Sequence, residues 1–402
     1  MNRDWRSTLP RGWRTVRLAQ VADQCLGKML DAHKNKGRPL PYLRNPNVRW
    51  FEVDTSDLQE MPFEDHELER YGLQEGDVLV CEGGEAGRAA IWDGRLPNIK
   101  FQKAIHRVRP GPELFNRYLV HRLRVDYHEN RLSDYYTGAT IKHLTGQDLA
   151  RYEFPLPPLA EQRRIATILD QADILRAKRR AALAQLDTLT RSFFRSRFGD
   201  LDRREPLGIL VDEFRYGTSL KSGPTGYPAL RIPNVIGGGL DLGDLKLVPV
   251  EDAEFRRLQL QGGDLLFVRT NGNPDFVGRC ATFEPTLVEK TGLDPSRFIY
   301  ASYLIRARIK SRLLPRVLQE FLSTSDGRRE LRSRTKTSAG QYNINTESLA
   351  SVPVPVPPLP LQRKFLELVG AVERSKSSHR SSLAYLDALF ASLQRRAFRG
   401  GL

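Results

Sequence analysis

Basic, amide and aromatic side chains are concentrated in a few loop-like stretches of this 402-residue chain. Arginine and lysine pair with guanine edges, asparagine and glutamine pair with adenine, and aromatic and hydroxyl side chains suit contacts to sugars and phosphates. These stretches therefore predict contacts to DNA. The predicted DNA-binding residues are Lys34, Lys36, Arg44, Asn47, Tyr135, Thr140, Lys142 and His143 in the first half, and Lys221, Arg231, Asn234, Arg334, Lys336, Gln341, Tyr342 and Asn343 in the second half.

Four of these residues occupy matching places in the two halves, which leaves a second interpretation open. Arg44 and Asn47 correspond to Arg231 and Asn234, so a shared structural role such as tying a turn fits them at least as well as base reading. Residues that differ between the halves are better candidates for reading sequence. The preferred reading loops contain Lys142 and His143 in the first half and Gln341, Tyr342 and Asn343 in the second.

The motifs that could support catalysis are incomplete. The glycine-rich stretch at 83–87 is followed by Arg88 and Ala89, where a phosphate-binding loop needs lysine and a hydroxyl residue. The stretch 273–276 reads Asn-Pro-Asp-Phe, which is close to an amino-methyltransferase motif, but no glycine-rich methyl-donor motif precedes it. The seven histidines are scattered and form no convincing metal pair. The sequence therefore predicts no catalytic residues and no metal site.

An internal repeat organises the elements that must position these loops. PYLRNPNV at 41–48 returns as PALRIPNV at 228–235, and LQEGDVLV at 73–80 returns as LQGGDLLFV at 260–268, both at an offset of 187. The offset grows to about 200 by the proline-rich stretches near 155 and 355, so the second copy carries an insertion, which we expect within 284–298. Short strands punctuated by glycine and proline predict a mixed α/β segment with a small sheet in each copy.

A long helix is predicted after each segment, because prolines precede it and glycine or proline rarely interrupts it. Apolar residues recur at alternating spacings of three and four, as in the seam of a coiled coil, with Arg179 and His379 as polar interruptions. We expect the two helices to pack on each other antiparallel, although the spacing alone also fits a parallel pair. The predicted seam residues are Ile165, Ile168, Leu175, Leu186, Leu189, Phe193, Phe365, Leu368, Val372, Leu386, Leu389 and Leu393.

The overall composition indicates a globular protein with an anionic partner. The formal net charge is +15 and the pI is near 9.8, with hydrophobic residues at 40%. A basic surface that only contacts solvent is the alternative. The chain has no run of 18 apolar residues and its N-terminal stretch has no apolar signal core, so we expect a cytoplasmic location. Cys25, Cys81 and Cys280 lie far apart, which predicts buried thiols.

Several stretches together resemble the specificity subunit of a type I restriction–modification system over essentially the whole chain. The most specific feature is a proline-rich entry followed by Gln-Arg and a long helix; the Gly-Asp strands at Gly76 and Gly263 are weaker signals on their own. The chain departs from even repetition where Leu361 replaces Glu161 and where Gly370 interrupts the second helix. The stretches that carry the resemblance are LPRGWRTVRL, TIKHLTGQDL, QYNINTESL, PLPPLAEQRRIATILD and VPVPPLPLQRKFLELV.

The resemblance implies an α/β fold class, with two tandem mixed α/β target recognition domains, each followed by a long helix, and with the helices packed as an antiparallel coiled coil. The implied domains are residues 1–155 and 200–354 for target recognition and residues 156–199 and 355–402 for the two spacer helices. It also implies a non-catalytic subunit that reads the two halves of a bipartite site in double-stranded DNA.

The implied partners are two modification subunits, which carry adenine methyltransferase activity and bind S-adenosylmethionine, and restriction subunits that add ATP-driven translocation and cleavage. The chain itself is expected to bind no cofactor. Two other function classes remain open: a stand-alone methyltransferase with a disguised motif, and a scaffold whose helices only assemble other proteins. The scaffold has no evident need for two different loop-rich segments.

Overall fold

The computed structural model describes residues 9–31, 33, 35–138, 142–198, 204–338 and 340–402. Two predicted DNA-binding residues, Lys34 and Thr140, lie outside these ranges. Among the described residues, no helix combines the length and the apolar character needed to cross a bilayer.

The first half forms a mixed α/β segment before its long helix. The elements are β1 (Arg14–Arg17), β2 (Ala22–Leu26), β3 (Arg38–Leu43), β4 (Val48–Arg49), β5 (Glu52–Val53), β6 (Gln59–Phe63), β7 (Val78–Cys81), β8 (Ala89–Ile91), β9 (Lys100–Phe101), β10 (Ile105–Pro110), α1 (Asn116–His128), α2 (Gly146–Arg151), β11 (Glu153–Leu156) and the long helix α3 (Leu159–Phe198). The main sheet has the order β2-β10-β7-β8 with antiparallel neighbours, and a smaller sheet has the order β6-β3-β9.

The second half repeats this arrangement. The elements are β12 (Arg204–Pro206), β13 (Val211–Tyr216), β14 (Tyr227–Leu230), α4 (Ile232–Val235), β15 (Lys246–Val248), α5 (Asp252–Leu258), β16 (Leu265–Val268), β17 (Thr270–Asn271), β18 (Cys280–Thr282), α6 (Pro285–Glu289), β19 (Ile299–Tyr300), β20 (Leu304–Ile309), α7 (Pro315–Ser323), α8 (Ser325–Arg332), β21 (Lys336–Ser338), β22 (Gln341–Asn343), α9 (Thr346–Ala350), β23 (Pro353–Pro355) and the long helix α10 (Leu359–Ala397). The main sheet has the order β13-β20-β16-β18, the smaller sheet has the order β15-β14-β19, and a further sheet has the order β17-β22-β21.

The repeated Gly-Asp pair has a structural cause in each half. Gly76 turns the chain at a φ of 91°, in the left-handed region that favours glycine, and the buried Asp77 directly precedes strand β7. The Asp77 carboxylate accepts a hydrogen bond from the Gln74 amide at 2.7 Å and two from the Arg109 guanidinium at 2.7 and 2.8 Å. The second copy reproduces these contacts around Asp264. The motif therefore fixes a turn and joins β7 to β10.

The insertion in the second copy is divided between two places. The offset is 187 at Gly76 and Gly263, becomes 191 at Gly87 and Gly278, and reaches 199 at Phe101 and Tyr300. The Gly87 amide donates to the Cys81 carbonyl, and the Gly278 amide donates to the Val268 carbonyl. These bonds close the loops that follow β7 and β16. The larger insertion lies around α6, within the expected range 284–298, but the expectation of a single insertion was wrong, because the loop after β16 is also longer.

Contacts divide the chain into two compact units. The first unit contains the described residues up to Arg180 together with Ser381–Leu402, and the second unit contains Ala181–Arg380. Each unit therefore includes one α/β segment and a part of both long helices. In the first unit, Ile165, Leu169, Phe390 and Phe398 join the core that surrounds α1. In the second unit, Phe194, Phe198, Phe365 and Val369 join the core that surrounds α7.

The buried stripe of the helices differs from the predicted seam. Leu175, Leu189 and Leu389 are 51%, 41% and 38% exposed, so their assignment to a buried seam was wrong. Ile165, Phe365 and Val372 are buried as predicted, whereas Ile168, Leu186, Phe193, Leu368, Leu386 and Leu393 are only partly buried. Buried positions that the prediction missed include Leu169, Thr190, Phe194, Phe198, Val369, Lys376, Phe390, Ala397 and Phe398.

The reason is that two stripes with helical spacing pass through Ile165 and Ala172. One continues to the apolar Leu175 and the other to Arg176, and apolarity alone selects the first. In the structure the second stripe faces the other long helix, where the Arg176 guanidinium donates to the Asp387 carboxylate at 2.6 Å.

The two helices run in opposite directions within each unit. In the first unit, Arg164 donates to the carbonyl of Leu402 at 3.1 Å, and Arg176 pairs with Asp387. The residue number therefore rises along the first long helix while that of its partner on or just after the second long helix falls. In the second unit, Asp187 pairs with Lys376 at 2.8 Å, and the ring of Phe198 contacts that of Phe365.

One buried glutamine joins each long helix to its own α/β segment. The side-chain oxygen of Gln162 accepts the Phe115 amide at 2.8 Å, and its nitrogen donates to the carbonyls of Glu113 and Pro157, each at 2.8 Å. Gln362 makes the corresponding contacts in the second unit. The glutamine of the Gln-Arg motif thus satisfies three backbone groups that would otherwise be buried without partners.

Candidate DNA interface

The loops of the first unit converge at one end of its main sheet. Because β10 is antiparallel to both β2 and β7, the ends of β2 and β7 lie beside the start of β10, with Leu26 opposite His106 and Cys81 opposite Ile105. The loops that follow β2 and β7 and the short connection that precedes β10 therefore emerge together. Strands that are distant in sequence bring these loops side by side.

The stretch that carries Lys142 and His143 is tied to the same end. The Leu144 amide donates to the Glu82 carbonyl at 2.7 Å, and His106 Nε2 hydrogen-bonds the Leu144 carbonyl at 2.8 Å. His143 and Thr137 exchange two backbone hydrogen bonds of 2.9 Å. These contacts anchor the loop on both sides of its exposed side chains.

Three predicted residues of the first unit are exposed, namely Lys36, Lys142 and His143, and the contacts above place Lys142 and His143 at this end. Lys36 lies before the start of β3, where Gly37 approaches Phe63. Lys142 Nζ lies 5.6 Å from the ring centroid of Tyr136, and the His143 ring lies against Gly83, where a Cβ would come within 3.2 Å of Nδ1. Exposed cations at converging loops suit contacts to phosphates and base edges. The predicted reading loop is therefore at a surface that a duplex can reach.

Tyr135 is placed differently from these three residues. Its hydroxyl oxygen accepts the Glu153 amide at 3.1 Å, and its ring meets that of Tyr152 edge-on at 5.5 Å. It is partly buried against the core of the first unit. Its contacts are those of a packing residue.

Arg44 and Asn47 tie a turn. Asn47 is buried, its Oδ1 accepts the Arg44 amide at 2.8 Å, and its Nδ2 donates to the carbonyls of Asp54 and Asp57 at 2.9 and 3.1 Å. The Arg44 guanidinium pairs with the Asp57 carboxylate at 2.6 Å. The polar atoms of the Asn47 amide are thus occupied inside the fold.

The second unit repeats the turn at Arg231 and Asn234. Asn234 is buried and binds the Arg231 amide and the carbonyls of Asp241 and Asp244 at 2.8, 2.8 and 3.2 Å, and Arg231 pairs with Asp244 at 2.8 Å. We therefore remove Asn47 and Asn234 from the candidate set, because a buried amide with these partners is not available to a base edge.

The second unit presents a corresponding sheet end with different loops. Tyr216 at the end of β13 and Val268 at the end of β16 lie opposite Ile305 and Leu304 at the start of β20. The chain leaves β16 into β17, which pairs with β22 through Thr270 and Asn343. The β21–β22 hairpin is thereby fixed to this end.

The predicted residues of the second unit separate into two groups. Lys221, Lys336 and Gln341 are exposed at this end, whereas Tyr342 and Asn343 are partly buried in the hairpin. Arg334 belongs to the fold, because its Nη1 pairs with the Glu330 carboxylate at 2.8 Å and its Nε donates to the Ser351 hydroxyl at 3.0 Å. We remove Arg334 from the candidate set for this reason.

Sequence reasoning missed two residues at these sheet ends. Lys103 lies in the short connection before β10, and Tyr303, which is 59% exposed, lies in the matching connection before β20. Only their position could have indicated them, because each lies just before a strand whose neighbouring strands lead into the reading loops. A large exposed aromatic ring beside cations suits stacking or sugar contacts.

One group of acidic and histidine side chains has close ligand atoms within the described ranges. The ligand atoms of Glu64, His66 and Glu67 lie within 4.8 Å of one another. The Glu67 carboxylate already accepts hydrogen bonds from the Lys28 ammonium and from the Glu64 amide. We assign this group no metal.

Comparisons with known proteins agree on one family. Residues 10–185 match the family model of the type I restriction modification DNA specificity domain. The type I restriction enzyme EcoKI specificity subunit of Escherichia coli (strain K12) is 26% identical, with 98% of this chain and 90% of that protein covered. The StySPI specificity subunit of Salmonella potsdam is also 26% identical, with 99% and 90% covered.

Two solved structures share the fold. The type I restriction–modification S subunit from M. genitalium has a TM-score of 0.56 at 16% identity and covers 96% of each chain. A structure described as showing complex assembly and conformational transition of the type I R-M system has a TM-score of 0.61 at 19% identity and covers 98% of this chain and 99% of that one. Residues 10–185 of this chain therefore match the type I restriction modification DNA specificity domain, and nearly the whole chain is similar to type I restriction enzyme specificity subunits.

Proposed function

We propose that the chain reads the two halves of a bipartite DNA target, one half with the sheet end of each unit. The observation that carries this proposal is the pairing of one sheet topology with two different sets of loops. Two identical readers related by a two-fold axis would require a palindromic site, whereas two unlike readers in one chain specify two unlike half-sites.

The proposed target recognition domains are residues 1–155 and 200–354, and the proposed spacers are residues 156–199 and 355–402. The helix bounds of α3 and α10 support this division. We propose that the spacer helices pack along their length as an antiparallel coiled coil. Changing helix length would then alter the gap between the half-sites and leave the half-sites themselves unchanged.

Two reciprocal ion pairs support the antiparallel arrangement. Arg176 pairs with Asp387 in the first unit, and Lys376 pairs with Asp187 in the second. These two pairs are related by the offset of 200 between the helices. In a parallel alignment of the repeats, Arg176 would face Lys376 and Asp187 would face Asp387, and both encounters would bring like charges together.

The exposed apolar residues of the helices support docking of partner subunits. Leu189 and Leu389, at equivalent positions of the two helices, are both exposed, and so are Leu175 and Tyr385. Contiguous exposed apolar patches rimmed by polar residues mark sites of protein association. Because Leu189 and Leu389 are equivalent, we propose that they contribute to two equivalent docking places for two modification subunits.

The remaining partners follow from the same proposal. The modification subunits would bind S-adenosylmethionine and methylate adenine, so this chain would need no cofactor, and restriction subunits would join the assembly. The protein would act in the cytoplasm on double-stranded DNA.

The test is methylation mapping at base resolution in DNA from cells that express this chain with its modification subunit, with modification subunit alone as the control. We expect an adenine mark in a bipartite, non-palindromic motif that depends on this chain. A mark that persists without the chain would contradict the proposal.

A further inference from the structure

A cavity of about 330 Å³ in the second unit is rich in guanidinium groups. Its walls come from the turn at Ile236, the loop after β16 and helix α8. Arg279, Arg328 and Arg332 contribute to the lining, and Asp275 contributes its carboxylate. Three cations thus share this space with one acid, which leaves a local excess of positive charge.

Arg328, which lines this cavity, has an unused donor. Its Nη2 donates to the carbonyls of Asp275 and Val277 at 3.1 and 2.9 Å, while its Nη1 is buried and has no hydrogen-bond partner. Burial, together with the nearby Arg279 and Arg332, lowers the pKa of the Arg328 guanidinium. A buried charged donor without an acceptor is costly, and an anionic oxygen would relieve both the missing bond and the repulsion.

The other two arginines leave most of this charge unbalanced. Arg279 donates to the carbonyls of Asp275 and Ile236 at 2.9 and 3.2 Å, and carbonyls carry no net charge. Arg332 pairs with the Asp275 carboxylate, yet its side chain remains 54% exposed. A guanidinium that is both paired and exposed can turn toward a second anion.

The first unit lacks this cluster, so the fold itself does not require it. Leu132 and Leu331 mark the equivalent helix positions, because they lie against Gly87 and Gly278 respectively. At the same offset of 199, Glu129 occupies the position equivalent to Arg328, and Ser133 occupies the position equivalent to Arg332. Arg279 keeps a counterpart in Arg88 at the offset of 191, but the other two arginines of the cluster have no cationic counterpart at these positions of the first unit.

We propose that this cavity binds a phosphate group of the DNA backbone beside the second half-site. The loop that walls it begins at β17, which pairs with the candidate reading strand β22, so the cavity adjoins the sheet end proposed to face DNA. Guanidinium groups bind phosphate through parallel charge-assisted hydrogen bonds. The inference rests on the proposed function and adds a phosphate contact that one half-site reader has and the other lacks.

The experiment measures binding of the assembled methyltransferase complex to its target duplex as a function of salt, for wild type and Arg332→Ala. Arg329→Ala is the matched control, because Arg329 lies on the same helix and is exposed with its partner Asp326. We expect Arg332→Ala to weaken binding to all sequences alike and to lower the slope of log affinity against log salt by about 0.9, while Arg329→Ala leaves the slope unchanged.

A methylphosphonate scan of the duplex locates the contact. A neutral linkage at one position beside the second half-site should weaken wild type but have no further effect on Arg332→Ala. The inference is overturned if wild type and Arg332→Ala have equal salt slopes. It is also overturned if inorganic phosphate raises the Tm but no methylphosphonate position distinguishes wild type from Arg332→Ala, or if the only effect of Arg332→Ala is loss of the modification subunit from the complex. In each case, intact bipartite recognition by wild type would leave the proposed function standing.

Discussion

At the scale of single residues, Lys142 and Lys336 are expected to contribute most to DNA binding at the proposed interface. Both are exposed at the sheet ends of their units, and the backbone on either side of Lys142 is anchored by hydrogen bonds. An anchored loop loses less conformational freedom when it binds, so a cation on it contributes more to affinity.

Replacing Lys142 by alanine should lower DNA affinity by about 1–3 kcal/mol if it contacts a base, or lower the salt slope by about one if it contacts a phosphate. Fluorescence titration of the assembled complex at several salt concentrations separates the two outcomes. Arg95→Ala is the control, because Arg95 follows β8 at the opposite end of the sheet and pairs with Asp93. Equal affinities and slopes for wild type and Lys142→Ala would remove Lys142 from the interface.

His106 links the stability of this loop to pH. Burial lowers the pKa of His106, although the Leu144 carbonyl and Glu82 act in the opposite direction. The unfolded chain takes up this proton near pH 6.5 and the folded chain only at lower pH, so stability is complete above about 6.5 and falls as the pH decreases below it.

Urea unfolding at pH 7.5 and 5.5 should therefore show a loss of stability at the lower pH. Burial lowers the pKa of His121 as well, so His106→Gln, which keeps a donor for Leu144, should reduce this loss without abolishing it. The same loss in His106→Gln as in wild type would show that His106 does not contribute.

Residue types alone could not separate readers from structural residues. Lys142 and Asn47 both have side chains suited to DNA, but the Asn47 amide donates its hydrogen bonds to backbone carbonyls of its own turn. The positions of those carbonyls depend on the path of the turn, which residue types do not reveal. Lys103 and Tyr303 escaped prediction because a single polar residue in a short connection forms no pattern. The matched residues of the repeat gave the useful warning, since a shared contact is more often structural.

At the scale of elements, the long helices were predictable and their buried stripe was not. Prolines before each helix determine where it starts, and the observed bounds of α3 and α10 differ from the predicted ones by a few residues. The stripe was misassigned because its central positions are Arg176 and Lys376, and apolar periodicity passes over a charged residue that has a partner.

The ion pair of the second unit offers a direct test of this stripe. Lys376 is nearly buried, and its ammonium contacts both Asp187 and Glu373. Lys376→Glu should lower the free energy of unfolding by about 1–3 kcal/mol, between the values for exposed and buried pairs. Adding Asp187→Lys should recover part of the loss.

Thermal and urea unfolding measure both effects. Lys364→Glu is the control, because Lys364 is exposed on the same helix and has the same change in charge. No recovery in the double variant would show that Asp187 and Lys376 do not stabilise the helix pair.

At the scale of the whole molecule, the repeat predicted two related segments, and the structure shows that their main sheets have the same strand order. What the sequence could not predict is the convergence of the loops. In the order β2-β10-β7-β8, each loop reaches the sheet end through a neighbour that is distant along the chain. The differences between the loops, rather than the shared sheet, carry the proposed difference between half-sites.

The central claim is that each unit reads its own half-site, and unit-specific methylation mapping tests it most directly. The DNA would come from cells that express the modification subunit with wild-type chain, with Lys142→Ala or with Lys336→Ala. We predict a bipartite, non-palindromic adenine motif for wild type, relaxed in one half by Lys142→Ala and in the other half by Lys336→Ala. A palindromic motif, or two variants that alter the same half, would contradict the account.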